Sequence, residues 1–275
     1  MLSMAYLEAY QVTGKIEYAD VAREIFTYVL RDMTDQDGGF YSAEDADSEG
    51  EEGKFYVWSK DEIIELLGPE NGGRFSKIFG FTPIGNFKDE ATGQLSGNNI
   101  PYLPQRLPDI AKKMDMSLDE LGSFIEEQRR ILFDQREGRI HPLKDDKILT
   151  DWNGLMIAAL ALGGAVLDES TYRAAAEKAA RFLLSNLRND NGRLMKRYRQ
   201  GVSGIPPHLD DYAFLIWGLL NLYETTFDSY YLSSAKELAE VMVTDFADEK
   251  GGAFFIGADN AEKLMVRSKD SYDGA

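Results

Sequence analysis

A chain of 275 residues that is 44% hydrophobic can bury a sizeable core, as one large domain or two ordinary ones. A net charge of −17 argues against a nucleic-acid partner, which needs clustered Lys and Arg, and the lack of cysteine rules out disulfides, thiolate metal sites and thiol catalysis within these residues. No apolar run reaches the ~18 residues of a membrane span, and the opening MLSMAYLEAYQVTG lacks the basic segment and cleavage site of a signal peptide, so the expectation is a cytoplasmic protein with no membrane partner.

In chain order, residues 1–12 read as a helix ended by Gly14, and Tyr18, Ala22, Ile25 and Val29 mark one stripe of a second helix. A glycine-rich, acidic β-hairpin follows over residues 35–58. The pattern then breaks over residues 59–116. Within that stretch Ser59 and Glu62 form a capping box for a short helix that stops at Gly68, and residues 80–104 read as irregular loop. Ser117 and Glu120 cap a helix running to about Asp134. Residues 151–167 are apolar on nearly every face, the signature of a helix buried all round, and residues 172–187 are amphipathic. After the Asn191-Gly192 turn, residues 193–198 read as a strand. The order recurs: an all-round apolar helix over 210–223, an amphipathic helix whose apolar stripe runs from Leu232 to Phe246, then Gly251-Gly252 and the strand-like AFFI.

This is a repeat of inner helix, outer helix and hairpin. Asp151-Trp152 and Asp211-Tyr212 open successive inner helices 60 residues apart, and Asp273 lies 62 residues further on. Such a repeat predicts an all-α fold, an (α/α) toroid of helix hairpins with short β-hairpins on one face. The expected organisation is a single domain over 1–275 with an irregular insertion at 59–116, its ring incomplete at both ends.

Four strings carry a resemblance: GGFYSAEDADSEG with FYVW (38–58), DDKILTDWNGLMI (145–157), LDDYAFLIWGL (209–219) and RSKDSYDGA (267–275). Together they resemble the thioredoxin-domain-containing family typified by spermatogenesis-associated protein 20. The likeness is to its C-terminal region, which is similar to six-hairpin glycosidases and N-acylglucosamine 2-epimerases. It implies a piece of a longer protein, whose thioredoxin-like domain lies outside these residues.

In a toroid the inner-helix N-termini and the hairpins share one face. That face would collect Asp151, Trp152, Asn153, Asp210, Asp211, Tyr212 and Asp273, joined by Glu44 and Asp45 from the long hairpin. Carboxylates beside aromatic rings suit sugars, because the ring packs on C–H groups while the carboxylates bind hydroxyls or move protons. A glycosidase needs two flanking carboxyl groups, and Asp151 with Asp211 is the first pair, Glu44 or Asp45 the substitute. An epimerase needs groups titrating near neutrality, and only His141 and His208 qualify by type. Each aspartate also reads as a helix cap or first-turn anion, and the tryptophans and tyrosines as core. Arg139 and Asp146 read as ion-pair members or as contacts to a substituted sugar.

Asp45, Asp47, Glu49 and Gly50 match the first half of an EF-hand loop, but Tyr56 stands where its bidentate Glu belongs, so no metal is expected. No cofactor motif is present. The expected function is a sugar hydrolase-like or epimerase-like domain with a small carbohydrate ligand; the alternative is a non-catalytic glycan-binding or scaffold module beside a thioredoxin-like domain.

Overall fold

The computed structural model describes residues 1–88, 93–259 and 266–269. The chain packs as two compact units, one formed by Met1–Ala43 with Asp145–Ala275, the other by Glu44–Lys144.

In the first unit the helices pair as the periodicity predicts. They are α1 (Leu2–Thr13) and α2 (Ile16–Asp32), α6 (Thr150–Val166) and α7 (Ser170–Asn186), and α8 (Leu209–Thr226) and α9 (Ser229–Phe246). The first helix of each pair is an inner one: α6 packs against both α1 and α8, and each inner helix packs on its own partner. That is the helix-hairpin arrangement of an α/α toroid. The α6–α8 contact is close because glycines meet there. A Cβ added at Gly218 would lie 2.6 Å from the Gly154 carbonyl, so the two backbones approach nearer than any side chain allows. Ile157, Leu160, Leu215, Leu219 and Leu222 fill the core around this crossing and are wholly buried.

The hairpins after the outer helices repeat in atomic detail. Thr34 bridges Phe40, Arg188 bridges Leu194, and Ala247 bridges Phe254. In each turn a side-chain carbonyl or carboxylate accepts a backbone N–H two residues on: Asp35 from Asp37 (2.8 Å), Asn189 from Asn191 (3.0 Å) and Asp248 from Lys250 (2.9 Å). A glycine at positive φ closes each turn, Gly38, Gly192 and Gly252. The unit also carries a sheet of order β1-β6-β7-β8, with β1 Tyr41–Glu44, β6 Lys144–Leu149, β7 Arg197–Arg199 and β8 Val202–Gly204.

The Glu44–Lys144 unit has no such repeat. Its strands β2 (Asp47–Ser48), β3 (Glu51–Glu52), β4 (Trp58–Ser59) and β5 (Asn98–Asn99) are two residues long, and its helices are α3 (Lys60–Ile78), α4 (Leu107–Met114) and α5 (Leu118–Glu137). Both expected capping boxes form, Ser59 with Glu62 and Ser117 with Glu120. The helix after Ser59 breaks at Gly68, as expected. Gly68 takes a left-handed φ of 79° ahead of Pro69, and the chain resumes helical geometry to Ile78, giving a kinked helix. Within residues 80–104 the buried Asn99 ties the irregular backbone together, its Nδ2 donating to the carbonyls of Trp58, Thr82 and Gly97 at 3.1–3.3 Å. Among the described residues no helix is long and apolar enough to cross a membrane.

Candidate functional site

The inner helices of the first unit begin at the hairpins. Thr150 donates its N–H to the Lys196 carbonyl (3.0 Å), and Leu209 donates to the Ile256 carbonyl (3.0 Å), one repeat further on. Each hairpin therefore meets the first turn of an inner helix, where N–H groups lack intrahelical partners. Three charged groups converge there. Asp211 is fully buried; one of its oxygens accepts the His208 N–H (2.7 Å) and the other the Asp151 N–H (3.2 Å). The 60-residue register of the sequence is thus a physical contact, in which one helix start donates to the carboxylate of the next. Lys196, from the hairpin before α8, reaches both carboxylates, 2.9 Å from Asp151 and 3.6 Å from Asp211.

The electrostatics follow from burial. Loss of solvent pushes the Asp211 carboxyl up to about 7, against the opposing pull of the His208 N–H and Lys196, with Asp151 adding to the rise. Burial alone would lower Lys196, but Asp211 and Asp151 outweigh it and its pKa rises. The cluster therefore holds a permanently charged ammonium beside a carboxyl group that exchanges its proton near neutrality.

Beside this cluster lies a half-open cavity of about 400 Å³. Trp152, Leu149 and Ile205 give it apolar walls; Lys147, Lys196 and Arg197 give it cationic ones, with Asp145 and Ser42 completing the polar lining. Trp152 is 46% exposed, although it sits in the first turn of a helix buried on nearly every other side. Lys147 is paired with Asp145 at 2.9 Å.

The remaining sequence candidates take other places. Asn153 is buried and structural: it accepts the Phe40 N–H (2.7 Å) and donates to the carbonyls of Phe40 (2.9 Å) and Leu149 (2.8 Å), locking the hairpin after α2 onto α6. Tyr212 is wholly buried, and its hydroxyl accepts the Leu194 N–H at 3.0 Å. These two residues hold hairpins rather than a substrate. Asp210 is exposed, and Asp146 is ion-paired with Arg199. His208 is the N-cap residue of α8 and is absent from the cavity walls. Asp211, expected as one of two catalytic carboxylates, is sealed from solvent with both oxygens occupied, so no substrate touches it. Asp273 lies outside the described residues.

Glu44, Asp45, His141 and Arg139 belong to the other unit. There Glu44 accepts from Tyr56 (3.2 Å) and pairs with Lys144 (3.4 Å), and the exposed Asp45 accepts the Asp47 N–H. His141 stacks on Phe55 with centroids 4.6 Å apart and lies 3.6 Å from Glu137. Arg139 is a clamp: it donates to the carbonyls of Phe55 (2.8 Å) and Val57 (2.9 Å), pairs with Glu62 (2.7 Å) and covers the Trp58 ring. Among the described residues no group of three or more His, Asp or Glu is placed to hold a metal ion.

Sequence reasoning missed Lys196 and Arg197, which lie in the stretch read only as a strand. The available signal was the pair of adjacent cations on a hairpin feeding an inner-helix start.

No family model matches the sequence. Human spermatogenesis-associated protein 20 is 35% identical over 302 residues, covering all of this chain and 38% of the human protein. The mouse protein is 34% identical with the same coverage, and an uncharacterized Caenorhabditis elegans protein is 33% identical over 93% of this chain and 38% of its own length. The chain thus spans 38% of the length of these curated relatives. Among solved structures, D-mannose isomerase matches with a TM-score of 0.39 at 15% identity, over 93% of this chain and 60% of that one. Cellobiose 2-epimerase from Bacillus thermoamylovorans gives 0.39 at 11% identity, over 88% and 60%. The unsaturated glucuronyl hydrolase of Bacillus sp. GL1 gives 0.39 at 12% identity, over 93% and 65%. Helix pairing within the first unit, not these scores, defines the fold. Over its whole length the chain is homologous to a partial region of spermatogenesis-associated protein 20.

Proposed function

We propose that this region binds a carbohydrate in the Trp152 cavity, as the glycan-recognising part of a longer protein. The observation that carries the reading is Trp152 itself. A large aromatic side chain, 46% exposed, opens a helix that is otherwise core and forms the wall of a cavity with three cations and a hydroxyl. An indole face of that kind packs on the C–H face of a sugar ring, while Lys196 and Ser42 meet its hydroxyls.

Binding without bond cleavage is the favoured form. A two-carboxylate hydrolase needs both carboxyl groups against the scissile bond, separated by about 5–5.5 Å or 6.5–9.5 Å according to stereochemistry. Asp211 is wholly buried and shares Lys196 with Asp151, an arrangement that favours binding over two-carboxylate hydrolysis. A second reading is acid–base catalysis at Asp151 of the hydrolase or epimerase kind, supported by the Asp151–Lys196–Asp211 cluster beside the cavity.

Calorimetric titration of this chain with neutral and charged monosaccharides tests both. Glycan binding predicts saturable uptake by the wild type, on the order of tenfold weaker in Trp152→Ala, and within a few-fold of wild type in Asp151→Asn. Sugar turnover lost in Asp151→Asn would establish the catalytic reading instead. No binding to any sugar, by this chain or by the longer protein, would remove both.

A further inference from the structure

We infer that the Trp152 cavity is specific for an acidic sugar, one carrying a carboxylate or phosphate, and that Arg197 is the residue that reads the acidic group. The inference deepens the carbohydrate reading and rests on it. The protein as a whole is strongly acidic, with 47 Asp and Glu against 30 Lys and Arg. This cavity reverses that balance, with Lys147, Lys196 and Arg197 facing a single carboxylate, Asp145, in its walls.

Two of the three cations are already spoken for. Lys147 pairs with Asp145 at 2.9 Å, and Lys196 with Asp151 and Asp211. Arg197 stands apart. Its Nε is buried and has no hydrogen-bond partner, and among the described residues its guanidinium enters no ion pair. The strand makes this more than an accident of one rotamer. Arg197 pairs across the sheet with Leu149 on one side and Gly204 on the other, and neither side chain offers an acceptor. Arg199, two residues along and on the same face of β7, is matched by Asp146. Arg136 also has a buried, unpartnered Nε, but it lies over the rings of Phe55, Tyr56 and Phe133, which compensate its charge. Arg197 has neither kind of compensation.

A cavity-lining guanidinium with no acceptor on either neighbouring strand is the kind of charged donor that a ligand, an ion or water meets in native proteins. The guanidinium fork offers paired N–H groups at the spacing of carboxylate or phosphate oxygens. The ligand that fits this lining places a sugar ring on Trp152, hydroxyls at Lys196 and Ser42, and its oxyanion at Arg197.

The test is calorimetric titration of the 275-residue chain, at low ionic strength, with four probes: glucose, glucuronate, glucose 6-phosphate and inorganic phosphate. Glucuronate or glucose 6-phosphate should bind on the order of tenfold more tightly than glucose, as one charge-assisted pair provides. Which of the two wins identifies the oxyanion. Arg197→Ala should bring the acidic sugars to within about twofold of glucose, each measured on the same variant; Arg197→Lys should keep part of the preference, since it keeps the charge and loses the fork. Circular dichroism of both variants separates a binding effect from misfolding. Acidic and neutral sugars binding alike would overturn this inference and leave the carbohydrate reading standing. Inorganic phosphate binding as tightly as glucose 6-phosphate, in an Arg197-dependent way, would show an anion site to which the sugar adds nothing, and would overturn it too. If no sugar binds, the carbohydrate reading fails and this inference fails with it.

Discussion

In the Glu44–Lys144 unit, two of the three helix starts are satisfied by the residues beside them: Ser59 and Glu62 cap α3, and Ser117 and Glu120 cap α5. In the other unit, Asp151 at the start of α6 donates its N–H to Asp211, 60 residues on in the next repeat, and Thr150 and Leu209 donate to carbonyls of the distant hairpins that end their own repeats. Local caps let a segment fold its ends independently. Long-range caps make each repeat depend on the next, and they draw charged groups together at the helix starts. That is why the charged cluster and its cavity arise in the repeating unit.

The comparison breaks most sharply at Asp211. Asp211→Ala strands the Asp151 and His208 N–H groups and leaves Lys196 partly buried with one fewer counter-charge. It should cost about 3–5 kcal/mol in chemical denaturation. The same carboxyl sets a pH dependence. Its folded pKa of about 7 lies above the unfolded value of 3.8, so the folded state holds the extra proton between those limits. Its contribution to stability is present below about pH 4 and is lost as pH rises through about 7. Asp211→Asn should flatten the stability profile over that window, as denaturation at a series of pH values would show; an unchanged slope would mean that Asp211 is ionised throughout.

Next comes the α6–α8 crossing. Gly218→Ala drives a methyl group into the Gly154 carbonyl and should cost about 1–3 kcal/mol, read from the thermal midpoint. Ser59→Ala removes a local cap from the other unit and should cost about 1 kcal/mol, confined to that unit in hydrogen exchange. Trp152→Ala should be the mildest for stability, within about 0.5 kcal/mol, because the ring packs little core.

The sequence made the helices of the repeating unit legible because their periodicity is strong, and the Asp151–Asp211 spacing because a repeated contact leaves a repeated residue. It also made the capping boxes legible, since both partners lie within one turn. The break at Gly68 was legible, because a glycine before proline interrupts helical geometry; the helical segment that follows it to Ile78 was not, although it buries Phe75 and Ile78. The roles at the helix starts were half visible. Asp151 and Asp211 could be located, but whether a carboxylate faces a cleft or a neighbouring backbone depends on groups far along the chain. Lys196 is 45 residues from Asp151, and no local pattern ties them. Arg197 is harder still, because its interest lies in what is not beside it, namely acceptors at Leu149 and Gly204.

A sugar packed on Trp152 would touch one of only three tryptophans in the chain. Trp58 is buried beneath Arg139, and Trp217 packs against the main core. Nitrogen-15 NMR of the indole N–H signals during titration with glucose and glucuronate therefore gives a direct reading. With the sugar on Trp152, its signal shifts saturably while those of Trp58 and Trp217 stay in place. Saturable binding with the Trp152 signal unmoved, or with Trp58 or Trp217 moving instead, would contradict it.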